Sequence, residues 1–148
     1  MPIVGFNFKK ITGEKKNQIQ QNTQIKINSK LGIINVEKEL LPTGKTKTEG
    51  LRLDFEFSLE YQPDIATIDI LGFIYYLEDP LRIKEIIKGW EKEKNLPIEI
   101  KQEVLNTIIL KSTIRALALE QEINIPPHMP FPSVEPVATK KKKDEYIG

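Results

Sequence analysis

The chain has 148 residues, 39% hydrophobic and 29% charged, which supplies one buried core and excludes compositional disorder. With no cysteine and a single histidine, His128, it excludes disulfides, thiolate metal sites, thiol catalysis and any two-histidine metal site. The net charge of +1 hides a gradient of +6 over residues 1–47, −7 over 48–139 and +2 over the last nine, which favours head-to-tail association or an anionic partner for the N-terminal part.

The longest apolar run, Leu71–Leu77, is far shorter than the roughly 20 residues that span a bilayer. Met1–Lys16 lacks a basic start followed by an apolar stretch, so the sequence predicts a cytoplasmic protein with no membrane insertion. Lysine outnumbers arginine 19 to 3 and isoleucine outnumbers valine 22 to 5. A thermophile or an A/T-rich codon bias produces the same excess.

In chain order, Val4, Phe6 and Phe8 alternate with Gly5, Asn7 and Lys9 and predict a first strand running to Thr12. The polar stretch Gly13–Thr23 connects it to a second strand from Gln24 to Val36, whose one face carries Ile25, Ile27, Ser29, Leu31 and Ile33. Pro42–Gly50 reads as a loop by composition. Leu51, Leu53, Phe55, Phe57, Leu59 and Tyr61 then alternate without a break against charged and polar residues, placing six apolar side chains on one sheet face. Gln62–Pro63–Asp64 supplies a turn, and Ile65–Leu77 reads as the returning strand. Past Gly72 that strand is apolar on both faces, so Gly72 marks a bulge or the strand end is covered on both sides.

Asp79–Pro80 opens a first helix with Ile83, Ile86, Ile87 and Trp90 on one stripe. Asn95–Leu96–Pro97 breaks it, and a second helix runs from Ile98 to Ile123. Leu105, Ile109, Ser112, Ala116, Leu119 and Ile123 form one stripe on this helix, and Leu110, Ile114 and Leu117 form another on a different side. A helix packed on a sheet uses one apolar side, so the second stripe predicts a partner, a second copy of the chain. Pro126, Pro127, Pro130, Pro132 and Pro136 then keep the backbone extended, and the chain ends in the lysine-rich Lys140–Gly148. The expected organisation is one α+β domain over residues 1–128, an antiparallel four-stranded sheet with two helices on one face. A proline-rich segment and a charged, mobile tail occupy 129–148.

No constellation for chemistry emerges, and the sequence predicts neither a catalytic residue, a metal site nor a cofactor. Gly44–Lys45–Thr46 imitates a phosphate-binding loop, but Glu39 stands where that motif needs its first glycine. Asp54, Glu56 and Glu60 alternate on a strand, which puts them in solvent rather than in the contrasting environments that acid–base pairs need. Nucleic-acid binding is a weaker alternative. The N-terminal third is basic, yet arginine is scarce and Phe6 and Phe8 fall on the core face.

The order of four strands, two helices and a proline-rich end is similar to the SecB family of export chaperones. The stretch Phe8–Lys9–Lys10–Ile11–Thr12–Gly13–Glu14 resembles that family's first strand, and Ile123–Asn124–Ile125–Pro126–Pro127–His128–Met129–Pro130–Phe131–Pro132 resembles the segment after its long helix. The resemblance implies a homo-oligomer, a dimer or a tetramer built as a dimer of dimers. It implies binding of unfolded polypeptide in an apolar groove without nucleotide, and delivery to the SecA motor. The groove residues expected here are Ile125, Met129 and Phe131, with Leu40 and Leu41 beside them; the equal alternative is that these residues cap the subunit's own core. Leu110, Ile114 and Leu117 are the expected oligomer interface, and Asp54, Glu56 and Glu60 an acidic face for a docking partner. An interaction subunit with one dedicated partner is the further alternative.

Overall fold

The computed structural model describes residues 3–20, 24–44 and 46–130. It contains strands β1 (Ile3–Lys15), β2 (Lys26–Thr43), β3 (Thr46–Gln62) and β4 (Ala66–Leu77), followed by helices α1 (Pro80–Glu93) and α2 (Ile98–Glu122). The strands form one antiparallel sheet in the order β1-β4-β3-β2, so β1 and β2 are its edges. This is the expected α+β architecture, a four-stranded antiparallel sheet followed by two helices.

The six alternating apolar residues of β3 are all buried, and the register sets them beside Ile68, Ile70, Ile74 and Tyr76 of β4. Both helices lie against this face. Ile83, Ile86 and Trp90 of α1 and Ile100, Val104, Ile108 and Ala116 of α2 complete one continuous core. Edge residues Phe6, Phe8 and Ile11 of β1 and Leu31 and Ile33 of β2 are half-buried against its margins. Among the described residues the opposite sheet face carries no helix.

Three details depart from the sequence reading. The expected loop Pro42–Gly50 is instead the end of a long hairpin, paired as far as Thr43 with Thr46. Gly44, at φ 72°, takes the left-handed conformation of the turn. Pro42 is compatible with strand because β2 is an edge, where a missing N–H need not break the ladder. Polar composition misleads here because backbone pairing, not burial, holds the hairpin tip. The second departure concerns α2, whose fully buried residues are Ile100, Val104, Ile108, Ser112, Ala116 and Glu120, a strict step of four. Each such step turns about 40° around a helix of 3.6 residues per turn, so the line winds as α2 crosses the twisted sheet. Ile109 falls off that line and is exposed, while Leu105, Leu119 and Ile123 stay at its half-buried margin.

The third concerns Gly72, which does mark a bulge, one of the two expectations, but on the neighbouring strand: the irregularity lies on β1, between Phe8 and Lys10, directly opposite Gly72 and Leu71. A Cβ at Gly72 would collide with the carbonyl oxygen of Asn7 and with the ring of Phe55. The glycine is required by the close approach of β1, which bulges beside it.

Candidate polypeptide-binding surfaces

Beneath the connection between the helices, the α1 stripe ends at Trp90 and the chain turns through Lys94, whose φ of 53° is left-handed. Leu96 then folds back into the core. This turn leaves a cavity of about 260 Å³ against the free edge of the sheet, floored by Leu31, Gly32 and Ile33 of β2 and walled by Trp90, Leu96 and Leu105. Gly32 pairs with Glu56 of the other sheet face, where a Cβ would meet nothing within 4 Å. Lys94 and Lys101 stand at the rim, the ammonium of Lys94 5.6 Å from the Trp90 ring centre. The indole N–H of Trp90 is buried and finds no acceptor among the described residues. An apolar floor beside a strand edge that is unpaired among the described residues can take both the side chain and the main chain of an extended peptide. Sequence reading placed Trp90 in the core, where it lies, but could not show the cavity, which arises from the turn at Lys94 and from the edge position of β2.

The five expected groove residues separate into two groups. Leu40 and Leu41 lie at the hairpin tip opposite Glu49 and Thr48, whereas Ile125 and Met129 follow α2 near Tyr61, about 40 Å of strand away. Leu40 and Met129 are exposed. Leu41 is buried over Gly50, and Ile125 is buried in the main core. Phe131 lies outside the described residues.

The segment after α2 is tied down by polar contacts. The backbone N–H of Ile125 donates to the Glu120 carbonyl at 2.9 Å, and the Tyr61 hydroxyl donates to the carbonyl of Pro126. Burial, with the nearby Glu120 carboxylate, pushes the Tyr61 phenol well above its usual range. His128 brings its ring to 2.6 Å from the Glu120 carboxylate and lies edge-on to Phe57 at 6.1 Å between ring centres.

On the outer side of α2, Leu110 and Ile114 are 61% and 63% exposed and Leu117 is half-buried, one apolar strip in the monomer. Beside it Lys111 and Arg115 lie over the rings of Phe6 and Phe8, which therefore face the helix layer and not solvent. Asp54, Glu56 and Glu60 alternate on the sheet face without helices. Asp54 pairs with Arg52 at 3.2 Å and Glu56 with Lys30 at 3.6 Å, while Glu60 accepts from Gln62 at 3.3 Å. The guanidinium of Arg52 also covers the ring of Phe73, 4.0 Å from its centre, on this same face. Among the described residues no group of three or more acidic or histidine side chains is placed to hold a metal ion, and no helix is long and apolar enough to cross a membrane.

No protein-family model and no curated protein matches the chain. Among solved structures it is similar to the SecB-like chaperone of Mycobacterium tuberculosis, determined in complex with a ChAD peptide from the HigA1 antitoxin. The two are 12% identical, with a TM-score of 0.56 over 90% of this chain and 91% of that one. The fold is SecB-like. At this identity the likeness reaches the arrangement of strands and helices; the sequence resemblance likewise rested on their order.

Proposed function

We propose that this SecB-like chain holds non-native polypeptide in the cytoplasm, without nucleotide and without chemistry, as a homo-oligomer joined through Leu110, Ile114 and Leu117. The observation that carries the reading is the cavity at the β2 edge. It offers apolar burial, which is indifferent to sequence, next to unpaired main-chain groups, which are common to every client. Leu40 at one end and Met129 at the other contribute separate exposed patches that a long client bridges, and Phe131 is proposed as a further contact. Asp54, Glu56 and Glu60 form the face on which a delivery partner docks. Likeness to a chaperone solved with a bound peptide supports the class of ligand.

Trp90 is the chain's one tryptophan, so its emission reports on the cavity directly. A chemically unfolded, tryptophan-free protein diluted into a stoichiometric amount of this chain is expected to scatter less light and to shift Trp90 emission together. Unchanged scattering would overturn the holding function, and suppressed scattering with unchanged emission would move the site elsewhere.

The same likeness favours a second reading, a dedicated partner in place of many clients, since the neighbour's bound peptide comes from one antitoxin. Recovery of one stoichiometric protein from cell extract, with no effect on the scattering of unrelated unfolded proteins, would select it.

A further inference from the structure

We infer that residues 124–130, the run from Asn124 to Pro130, form a releasable strap whose clasp is Glu120, and that releasing it uncovers Phe57 and Tyr61 as additional apolar surface. The inference rests on the polypeptide-holding function for its use, though not for its mechanics.

Three of the strap's attachments meet at Glu120. Prolines at 126, 127 and 130 remove three backbone donors from this short run. Of the donors left, the N–H of Ile125 goes to the Glu120 carbonyl at 2.9 Å and the N–H of His128 to Glu120 Oε1 at 3.2 Å. The His128 ring takes Oε2 at 2.6 Å. Three ties reach other residues: the Tyr61 hydroxyl bond to Pro126, a 3.3 Å contact from Lys15 Nζ to the carbonyl of Asn124, and the N–H of Asn124 to the Gln121 carbonyl at 3.4 Å. Apolar attachment rests on Ile125, which is buried in the main core. Pro127, Met129 and Pro130 are exposed, and a hollow of about 410 Å³ is lined by Pro127 and Ile125 together with Leu117 and Ala118 of α2.

A clasp made this way is balanced between two states. Closed, the carboxylate exchanges its water for the imidazole and an N–H. Open, at the last turn of α2, it regains water. A buried ionic or polar contact that replaces hydration contributes little net free energy, so neither state leaves Glu120 unsatisfied. Proline pre-extends the strap, which limits the entropy gained on release and keeps the closed form populated. What release exposes is substantial, because the His128 ring lies against Phe57 and the Pro126 carbonyl sits on the Tyr61 hydroxyl, and both rings are otherwise buried.

The test is native-state amide hydrogen exchange of the full chain. The amides of Ile125 and His128 are expected to exchange at least tenfold faster than that of Ile108, whose exchange requires the core of α2 to open. His128→Ala is expected to accelerate both strap amides by a further tenfold or more, so that they stay at least tenfold faster than Ile108, whatever rise the lower global stability brings to Ile108 itself. Glu120→Gln is a second variant with the same expected pattern, should His128→Ala fold poorly. Exchange of the strap amides at the rate of Ile108, in the native chain or in both variants, would overturn the strap. Its use is read separately, by titrating reduced, carboxymethylated lactalbumin against each protein. Tighter binding by the variants supports gating, and equal binding by all three proteins overturns it. Absence of binding by every protein would count against the holding function alone, and the exchange rates then decide the strap by themselves.

Discussion

His128 reaches back eight residues to Glu120, placing both a ring nitrogen and its own backbone N–H on a carboxylate that is 1% exposed. The position is otherwise hostile to a negative charge, being apolar and at the carboxyl end of a helix. His128→Leu should therefore cost about 2–3 kcal/mol, less than a rigidly enclosed unpaired charge because this site can admit water. Adding Glu120→Met should recover most of that loss. Urea denaturation of the three proteins checks both steps.

Ser112 is the other polar residue buried on α2, and its hydroxyl makes no hydrogen bond among the described residues. Ser112→Ala should be neutral or stabilise by up to about 1 kcal/mol, since it removes an unsatisfied group without opening much space. A fall in the urea midpoint would show that the hydroxyl has a partner after all.

Gly72 and Gly32 make a matched pair. Gly72→Ala drives a methyl into the Asn7 carbonyl and the Phe55 ring, and should cost about 2–3 kcal/mol or unseat β1. Gly32→Ala points into open space and should change stability by less than about 0.5 kcal/mol. Thermal melts of the two variants give the comparison.

Two tyrosines predict behaviour in alkali. Burial, followed by the nearby Glu103 and Glu78, pushes the Tyr76 phenol to about 12, and burial beside Glu120 raises Tyr61 further. Both pKa values are higher folded than unfolded, so the stabilisation is complete below pH 10 and is lost as the pH rises toward 12 and above. The unfolded chain releases those protons first. Stability should fall steeply over that window, and Tyr61→Phe with Tyr76→Phe should flatten the fall. Denaturant midpoints measured from pH 8 to 11.5 test it.

The proposed assembly is tested by Ile114→Glu with Leu117→Glu. Sedimentation should change from an oligomer to a monomer while the helical circular dichroism is kept. An unchanged mass would remove α2 from the interface.

The sheet and both helices were legible because burial imprints a period on sequence. Leu51 to Tyr61 alternate at two, and Ile83, Ile86 and Trp90 recur at helical spacing, each matching one covered face. The hairpin tip was not legible, since Pro42 to Thr46 pair through their backbones with no core to enforce a pattern. Nor was the partnership of Glu120 and His128, which sequence separates by a helix end and two prolines. The Trp90 cavity escaped for a related reason. Its walls are residues that each read as ordinary core, and only the edge position of β2 leaves the space beside them open.

The strand order β1-β4-β3-β2 also bears on synthesis. The β2–β3 and β3–β4 ladders are hairpins between neighbours in sequence, whereas Ile3 finds its partner in Tyr76, across most of the sheet's length of chain. Closing so long a loop carries an entropic penalty that local hairpins escape, so β1 is the strand to join last. On the ribosome it emerges first and waits, with Phe6 and Phe8 uncovered, until β4 has been made. A protein proposed to guard the unfinished chains of others thus begins its own life with an unfinished edge.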